Sequence, residues 1–220
     1  MKNIVLGVTG SIAAYKAADL ANILTKEGYN VDVILTHGGA QFITALTLQT
    51  LSKNRVLTDV FQEDWPQEVK HISLAKKADL LLVAPASADV IAKLASGIAD
   101  DMLTTTALAM RGIPKLLAPA MNTNMYENPI VQDNLKKLAA YGWEIIDPKE
   151  ARLACGDLGK GALADVKTIV QAGEARGVAV ATLGRLVAAL RRPRGNGSPS
   201  DRSVLEHDVD VVLMDLQLGG

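Results

Sequence analysis

Three things are scarce in this chain: cysteine, net charge and long apolar runs. Of 220 residues, one is a cysteine, Cys155. An internal disulfide framework is therefore excluded, and a reducing, cytoplasmic setting is expected. The formal net charge is −1, so no global field draws the protein to nucleic acid or to an anionic membrane. Apolar runs such as LLLVAPA (Leu80 to Ala86) fall far short of the roughly 20 residues a bilayer span needs. Residues 1–8 already read as a strand, so no secretory leader is expected. Two nucleotide-binding signatures are missing as well. The segment GVTGSIAAYK (Gly7 to Lys16) contains neither G-x-G-x-x-G nor the Gly-Lys-Ser/Thr ending of a P-loop. That disfavours a dinucleotide or a triphosphate and leaves a mononucleotide phosphate. No metal site is expected.

What is present suits a globular protein with one real core: 49% of residues are hydrophobic and 21% charged. The length allows one ordinary domain and an appendage. NIVLGV (residues 3–8) reads as a buried strand, and a helix begins near Ser11. Ala13, Ala17, Leu20 and Leu24 form its apolar stripe, and Gly28 ends it. NVDVILT is the second strand, and a helix is predicted from about Ala40 to Leu51. An irregular segment, KNRVLTDVFQEDWPQEV, leads to His71. DLLLVAPA lacks polar alternation, as a strand covered on both faces should. A helical stretch, the strand KLLAPA, a helix over 128–141 and the short strand WEIID follow. Strands alternating with helices predict a three-layer α/β fold. Its centre is a doubly wound parallel sheet of the flavodoxin-like or Rossmann-like kind.

Composition changes near residue 175. Lysine disappears after Lys167, whereas arginine continues to Arg202. RRPRGNGSPSDRS is basic and rich in Pro, Gly and Ser, the composition of a linker. The chain is therefore divided into a domain over 1–175, with its core ending near Gly173, and an extension over 176–220.

Candidate site residues gather at strand exits. Gly7 and Gly10 let backbone N–H groups approach an anion, and the helix that follows aims its positive end there. An ordinary turn with Ser11 as N-cap explains the same residues equally well. Thr36 ends the second strand, and Ala86 and Ser87 end a later one. Open α/β sheets bind ligands at such carboxyl ends, and small side chains there leave room for a flat ring. Helix capping by Ser87 or Asp89 is the plainer alternative. His71, at the end of the irregular segment, is a candidate base. His37 sits at a strand exit and competes with it, while His207 lies in the anomalous tail. PAMNTNMYENP (Pro119 to Pro129) places Met121 and Asn122 at the same sheet edge. A carboxamide donates to a carboxylate without bringing a charge, and methionines pack adaptably against a ring or a sulfur. The same residues also suit an Asn-capped turn with methionine filler. RLACGDLGKGALAD (Arg152 to Asp165) is glycine-rich and carries Cys155. It reads as a flap over a site or as a surface loop with an incidental thiol.

Four of these blocks together resemble one family, the flavin-containing cysteine decarboxylases, in the branch that acts on 4′-phosphopantothenoylcysteine. They are GVTGSIAAYK, HISLAKKADLLLVAPASADVIAKLASGIADDML, PAMNTNMYENP and RLACGDLGKGALA. In order and at family spacing they are specific, and they cover about residues 2–173. One departure is Tyr126, which stands where the family's PxMNxxMW motif has tryptophan.

The resemblance implies FMN as cofactor and decarboxylation to 4′-phosphopantetheine, a step of coenzyme A biosynthesis. Oxidising the cysteine side chain to a thioaldehyde places C=S β to the carboxylate. CO₂ is then lost to an enethiolate, which is reduced to the saturated thiol. The catalytic residues it implies are His71, Asn122 and Cys155. Gly10, Ser11, Thr36, Ala86 and Ser87 are implied to contact FMN, and Met121, Asn122, Ala154 and Gly156 the substrate. It further implies trimers with sites at subunit interfaces, some of them grouped as dodecamers. His71 would then serve a neighbour's flavin.

A lantibiotic-type peptidyl-cysteine decarboxylase is the second enzyme reading, disfavoured by the cysteine-bearing flap segment. A non-catalytic FMN-binding regulatory protein is the third, and the joint presence of His71, Asn122 and Cys155 argues against it. A flavin prenyltransferase shares the fold class but is not expected to show the Asn122 block together with the flap cysteine. The extension does not resemble the synthetase often fused to bacterial members. Its end, DVDVVLMDLQLGG, resembles the phosphoacceptor strand of a response regulator with Asp215 at the acceptor place. The other receiver residues are missing, so no phosphorelay is expected.

Overall fold

The computed structural model describes residues 1–61, 69–152, 156 and 158–176. Ala154, Cys155, His207, Asp215 and the extension beyond residue 176 lie outside the described residues.

Five strands form one parallel sheet: β1 (Asn3–Val8), β2 (Asn30–Leu35), β3 (Leu80–Ala86), β4 (Lys115–Pro119) and β5 (Trp143–Ile145), in the order β2-β1-β3-β4-β5. This is the flavodoxin-like doubly wound order, as expected. The alternation of side chains along each strand builds two cores. Ile4, Leu6, Val8, Leu80, Leu82, Leu116 and Ala118 face one side. Val5, Leu81, Val83 and Leu117 face the other. Both faces are apolar, so both are covered by helices.

On the first face lie α1 (Lys16–Lys26), α2 (Ala45–Ser52) and a last helical stretch over 166–176. On the second lie α3 (Lys70–Lys77), α4 (Ala88–Ser96) and α5 (Met102–Ala109). Beyond a short helix α6 (Thr123–Tyr126), α7 (Pro129–Ala140) completes that face. Two helices differ from expectation. The first begins as a 3₁₀ turn, Ile12–Tyr15, capped by Ser11, whose Oγ accepts from the Ala13 N–H. The helix predicted over Ala40–Leu51 is broken: a 3₁₀ turn at Gly39–Gln41 precedes α2. Thr44 is extended, and its hydroxyl accepts from the Thr47 N–H, so it restarts the helix as an N-cap.

The last helix runs to residue 176, and its last buried residue is Gly173. Ile169 and Val170 are buried in the first core, and Arg176 Nε donates to Glu144 at 2.6 Å. A chain ending at Arg176 is expected to fold and keep its ligand. One ending at Asp165 exposes that apolar face and is expected to be insoluble or molten. Far-UV and near-UV circular dichroism of the two chains checks this. A folded, cooperative chain ending at Asp165 would refute it.

The glycine-rich segment after β5 is a second, two-stranded antiparallel sheet, β6 (Lys149–Arg152) with β7 (Leu158–Ala162). Its base is tied by ion pairs of Lys149 with Asp165 and Lys160 with Asp147. The hydrogen bond from Lys149 holds the Asp165 carboxyl below the usual aspartate range.

Candidate active-site cleft

Strand order reverses between β1 and β3, so the connections leaving them part to opposite sides. A crevice opens there at the carboxyl edge. The structure has a cleft of about 560 Å³ at that place, within the usual range for a small-ligand site. Its walls are the turn after β1 (Gly10 to Lys16), Ser87 and Ala88 after β3, the segment 120–122 with Met125 after β4, and Arg152 and Gly161 to Leu163 of the hairpin region.

A buried threonine fixes the spacing of the first two walls. Thr9 Oγ1 donates to the Pro85 carbonyl at 2.7 Å and accepts from the Ser87 N–H at 2.8 Å. It is fully buried, and the sequence pattern did not single it out. Thr9→Val would leave both partners unsatisfied, at a cost of about 2–4 kcal/mol. The expected result is a matching fall in the free energy of urea unfolding; a change below about 0.5 kcal/mol would contradict this account.

Two helix starts line the cleft: the Ser11-capped 3₁₀ turn that runs into α1, and α4, whose N-cap Ser87 accepts from the Val90 N–H. Both bring the positive ends of backbone dipoles to one place. Lys16 and Arg152 line it too. The backbone approaches closely here: a Cβ on Gly10 would come within 3.2 Å of the Gly38 Cα. The remaining wall is apolar, formed by Ile12, Tyr15, Phe42 and Met125, all substantially solvent-exposed. An anion-binding end beside exposed apolar surface suits a phosphorylated, flat, partly apolar ligand.

The turn after β4 has a clear local logic. Asn122 is the N-cap of α6, and its Oδ1 accepts from the Asn124 N–H at 2.9 Å. Asn128 caps α7 with Pro129 at the first helical position. The carboxamides of PAMNTNMYENP therefore build two successive caps, and the first stands on the cleft wall. Capping uses the carbonyl oxygen of Asn122, so the donor side of that carboxamide is its NH₂. Tyr126 is buried in the second core, and Lys160 Nζ lies 5.7 Å from its ring centre.

Of the expected site residues, Gly10, Ser11, Ser87, Met121 and Asn122 meet in the cleft. Ala86 is fully buried in β3, just behind Ser87. Thr36 is also buried. Its hydroxyl accepts from the Gly39 N–H at 3.1 Å and lies 3.3 Å from the Val8 carbonyl, to which it donates. It shapes the Gly38–Gly39 turn rather than the cleft surface. Gly7 lies inside β1, where a Cβ would strike Leu103 at 2.6 Å. Its missing side chain therefore admits α5 and not an anion. Gly156 is exposed, with φ +93°, and its carbonyl accepts from Arg152 Nε at 3.2 Å.

His71 is on α3 and is not among the cleft's lining residues. Its Nδ1 is buried with no hydrogen-bond partner among the described residues. His37 is exposed. Lys16, Arg152, Tyr15 and Phe42 were not singled out from the sequence. The first three lie inside blocks already marked, and only their position against the cleft distinguishes them.

Comparison with known proteins agrees with this geometry. The flavoprotein family matches residues 1–176. A probable phosphopantothenoylcysteine decarboxylase of Streptococcus mutans is 58% identical over 171 residues, 77% of this chain and 96% of its own. The coenzyme A biosynthesis bifunctional protein CoaBC of Bacillus subtilis is 49% identical over 173 residues, 79% of this chain. The chain spans only 42% of that relative's length. Among solved structures, a cysteine-to-serine mutant of a PPC decarboxylase complexed with pantothenoylaminoethenethiol superposes with a TM-score of 0.71 at 32% identity, covering 79% of this chain and 96% of the other. The FMN-binding protein AtHal3 gives a TM-score of 0.69 at 33% identity, over 79% and 95% of the two chains. The chain belongs to the flavoprotein family that includes the phosphopantothenoylcysteine decarboxylases.

Proposed function

We propose that this protein is an FMN-dependent decarboxylase that converts 4′-phosphopantothenoylcysteine to 4′-phosphopantetheine in coenzyme A biosynthesis. The observation that carries the reading is a single cleft lined by two helix starts, an apolar wall and the Asn122 turn. Gly10, Ser11 and Ser87 would hold the mononucleotide, with Thr36 and Ala86 shaping the strand ends behind them. The two helix starts and the apolar wall fit such a group. A bound flavin supplies reversible two-electron chemistry at the cysteine side chain.

The chain's own residues bind, orient and move protons. The Asn122 NH₂ donates to the substrate carboxylate without adding charge, and Met121 packs beside it. His71 is the proposed base. With the side chain at the thioaldehyde level, the bond from Cα to the carboxylate breaks and its electron pair ends on sulfur as an enethiolate. Cys155 then gives a proton to carbon as the enethiol is saturated. Ala154 and Gly156 flank it on the substrate. The aminoethenethiol held by the cysteine-to-serine mutant of a relative is an enethiol of this kind and supports that order. His71 stands outside the cleft of its own chain. The proposal therefore includes a homotrimer, alone or grouped as a dodecamer, in which His71 serves a neighbour's cleft. A cytoplasmic location is part of the same proposal, and no helix among the described residues is long and apolar enough to cross a membrane.

The cofactor is tested by denaturing the purified yellow protein and weighing the released flavin; FMN is expected, and FAD would contradict the reading. Substrate choice is tested by offering 4′-phosphopantothenoylcysteine and a peptide ending in cysteine at equal concentration. The first should be consumed first; preferential use of the peptide would favour the peptidyl-cysteine enzyme.

A further inference from the structure

The hairpin strand β7 sits directly on the Asn122 turn, and the contact is made by glycines. A Cβ on Gly159 would lie 2.5 Å from Thr123 Oγ1 and 2.8 Å from Thr123 Cγ2. A Cβ on Gly161 would collide with the Met121 carbonyl oxygen, and Gly161 has φ +153°. These two glycines are two residues apart on one strand, so they share a face. Between them, Lys160 reaches over the ring of Tyr126, also on α6. The Met121 N–H donates to the Gly161 carbonyl at 3.0 Å. Thr123 Oγ1 is buried at this seam without a partner among the described residues.

We propose that β7 is the positioning element for Asn122: the glycine seam fixes residues 121–123, and so sets where the Asn122 carboxamide stands on the cleft wall. Gly159 and Thr123, which do not line the cleft, are positioning residues, and Gly161 joins them through its contact with the Met121 carbonyl while also lining the cleft. The inference rests on the reading of Asn122 as the carboxylate clamp.

A double-mutant cycle tests it, because one obstacle is a side chain and the other is backbone. Gly159→Ala should lower kcat/KM by about tenfold or more, with the flavin spectrum and melting temperature close to wild type. Adding Thr123→Ala removes the two nearest contacts, leaving only Cβ at 3.1 Å, and should restore kcat/KM to within about threefold of Thr123→Ala alone. Gly161→Ala meets a carbonyl, so its loss should be at least as large and should not be recovered by Thr123→Ala. Hydrogen exchange gives a readout independent of turnover. The Met121 amide should be protected in the wild type, exposed in Gly159→Ala and protected again in the double variant. Wild-type kcat/KM and Met121 protection in Gly159→Ala would overturn the proposal. So would a loss that Thr123→Ala fails to recover, or one in which melting temperature and flavin uptake fall in step. A wild-type protein with bound flavin and no decarboxylation would instead defeat the reading of Asn122, while the exchange pattern across the variants would still decide whether the seam holds the turn.

Discussion

Asn122→Asp should bind flavin normally and turn over about a thousandfold more slowly. The substitution is nearly isosteric, and aspartate is as good an N-cap as asparagine. The hydrogen bond that Asn122 Oδ1 accepts from the Asn124 N–H survives, and with it the start of α6. What changes is the other half of the carboxamide. The NH₂ proposed to donate to the substrate carboxylate becomes an oxygen with a shared negative charge. Two carboxylates about 4 Å apart repel by about 4 kcal/mol at the effective dielectric of a protein site, or about three decades in rate. Steady-state kinetics with the flavin absorbance recorded on the same sample separates this from a folding defect. A rate near that of the wild type would mean that the carboxylate is held elsewhere and that Asn122 is only a cap.

The second large effect is expected from Cys155→Ser, and it is a change of product rather than a simple loss. The proposed reaction has two halves. Oxidation of the side chain and loss of CO₂ call on His71 and Asn122. Saturation of the enethiol calls on a proton donor at carbon. A thiol, with an ordinary pKa near 8.5, is a far stronger acid than a serine hydroxyl. The variant should release CO₂ in its first turnover and then stall. Mass spectrometry should find a product two hydrogens lighter than 4′-phosphopantetheine. Saturated product at the wild-type rate would show that the thiol is incidental.

The sheet was readable because its strands are apolar on both faces and end in small residues; Leu80 to Ala86 announces a central strand without any periodicity. The broken helix before α2 was less readable. The stretch from Ala40 to Leu51 has no Gly or Pro to mark a break, and a turn through Phe42 and Ile43 followed by the extended backbone of Thr44 divides it. The hairpin was hidden for a related reason. Three glycines in Leu158 to Ala162 and its approach read as a flexible loop, whereas two of them are the places where a strand must lie close against the Asn122 turn, Gly159 on the Thr123 side chain and Gly161 on the Met121 backbone. Sequence pattern carries no sign of what a missing side chain makes room for.

The site divides along the same line. Gly10, Ser11, Ser87, Met121 and Asn122 follow strand ends, and strand ends converge in this fold, so position in the chain sufficed. Thr36 and Ala86 follow the same rule, but lie one layer behind the cleft surface. Thr9 stays invisible in sequence, because its role is a pair of long-range hydrogen bonds to β3 and the residue after it. His71 stands away from the cleft because α3 packs against α5 on the second face of the sheet. In the proposed trimer, a neighbouring copy supplies the cleft it serves.

Decarboxylation of a cysteine carboxylate in this cleft is read out by adding 4′-phosphopantothenoylcysteine, without oxygen, to the purified flavin-bound protein and following CO₂ and the pantetheine product together. Equal amounts of CO₂ and 4′-phosphopantetheine are expected over many turnovers, with no external oxidant or reductant consumed. Flavin-bound protein that takes up the substrate and releases no CO₂ would contradict it.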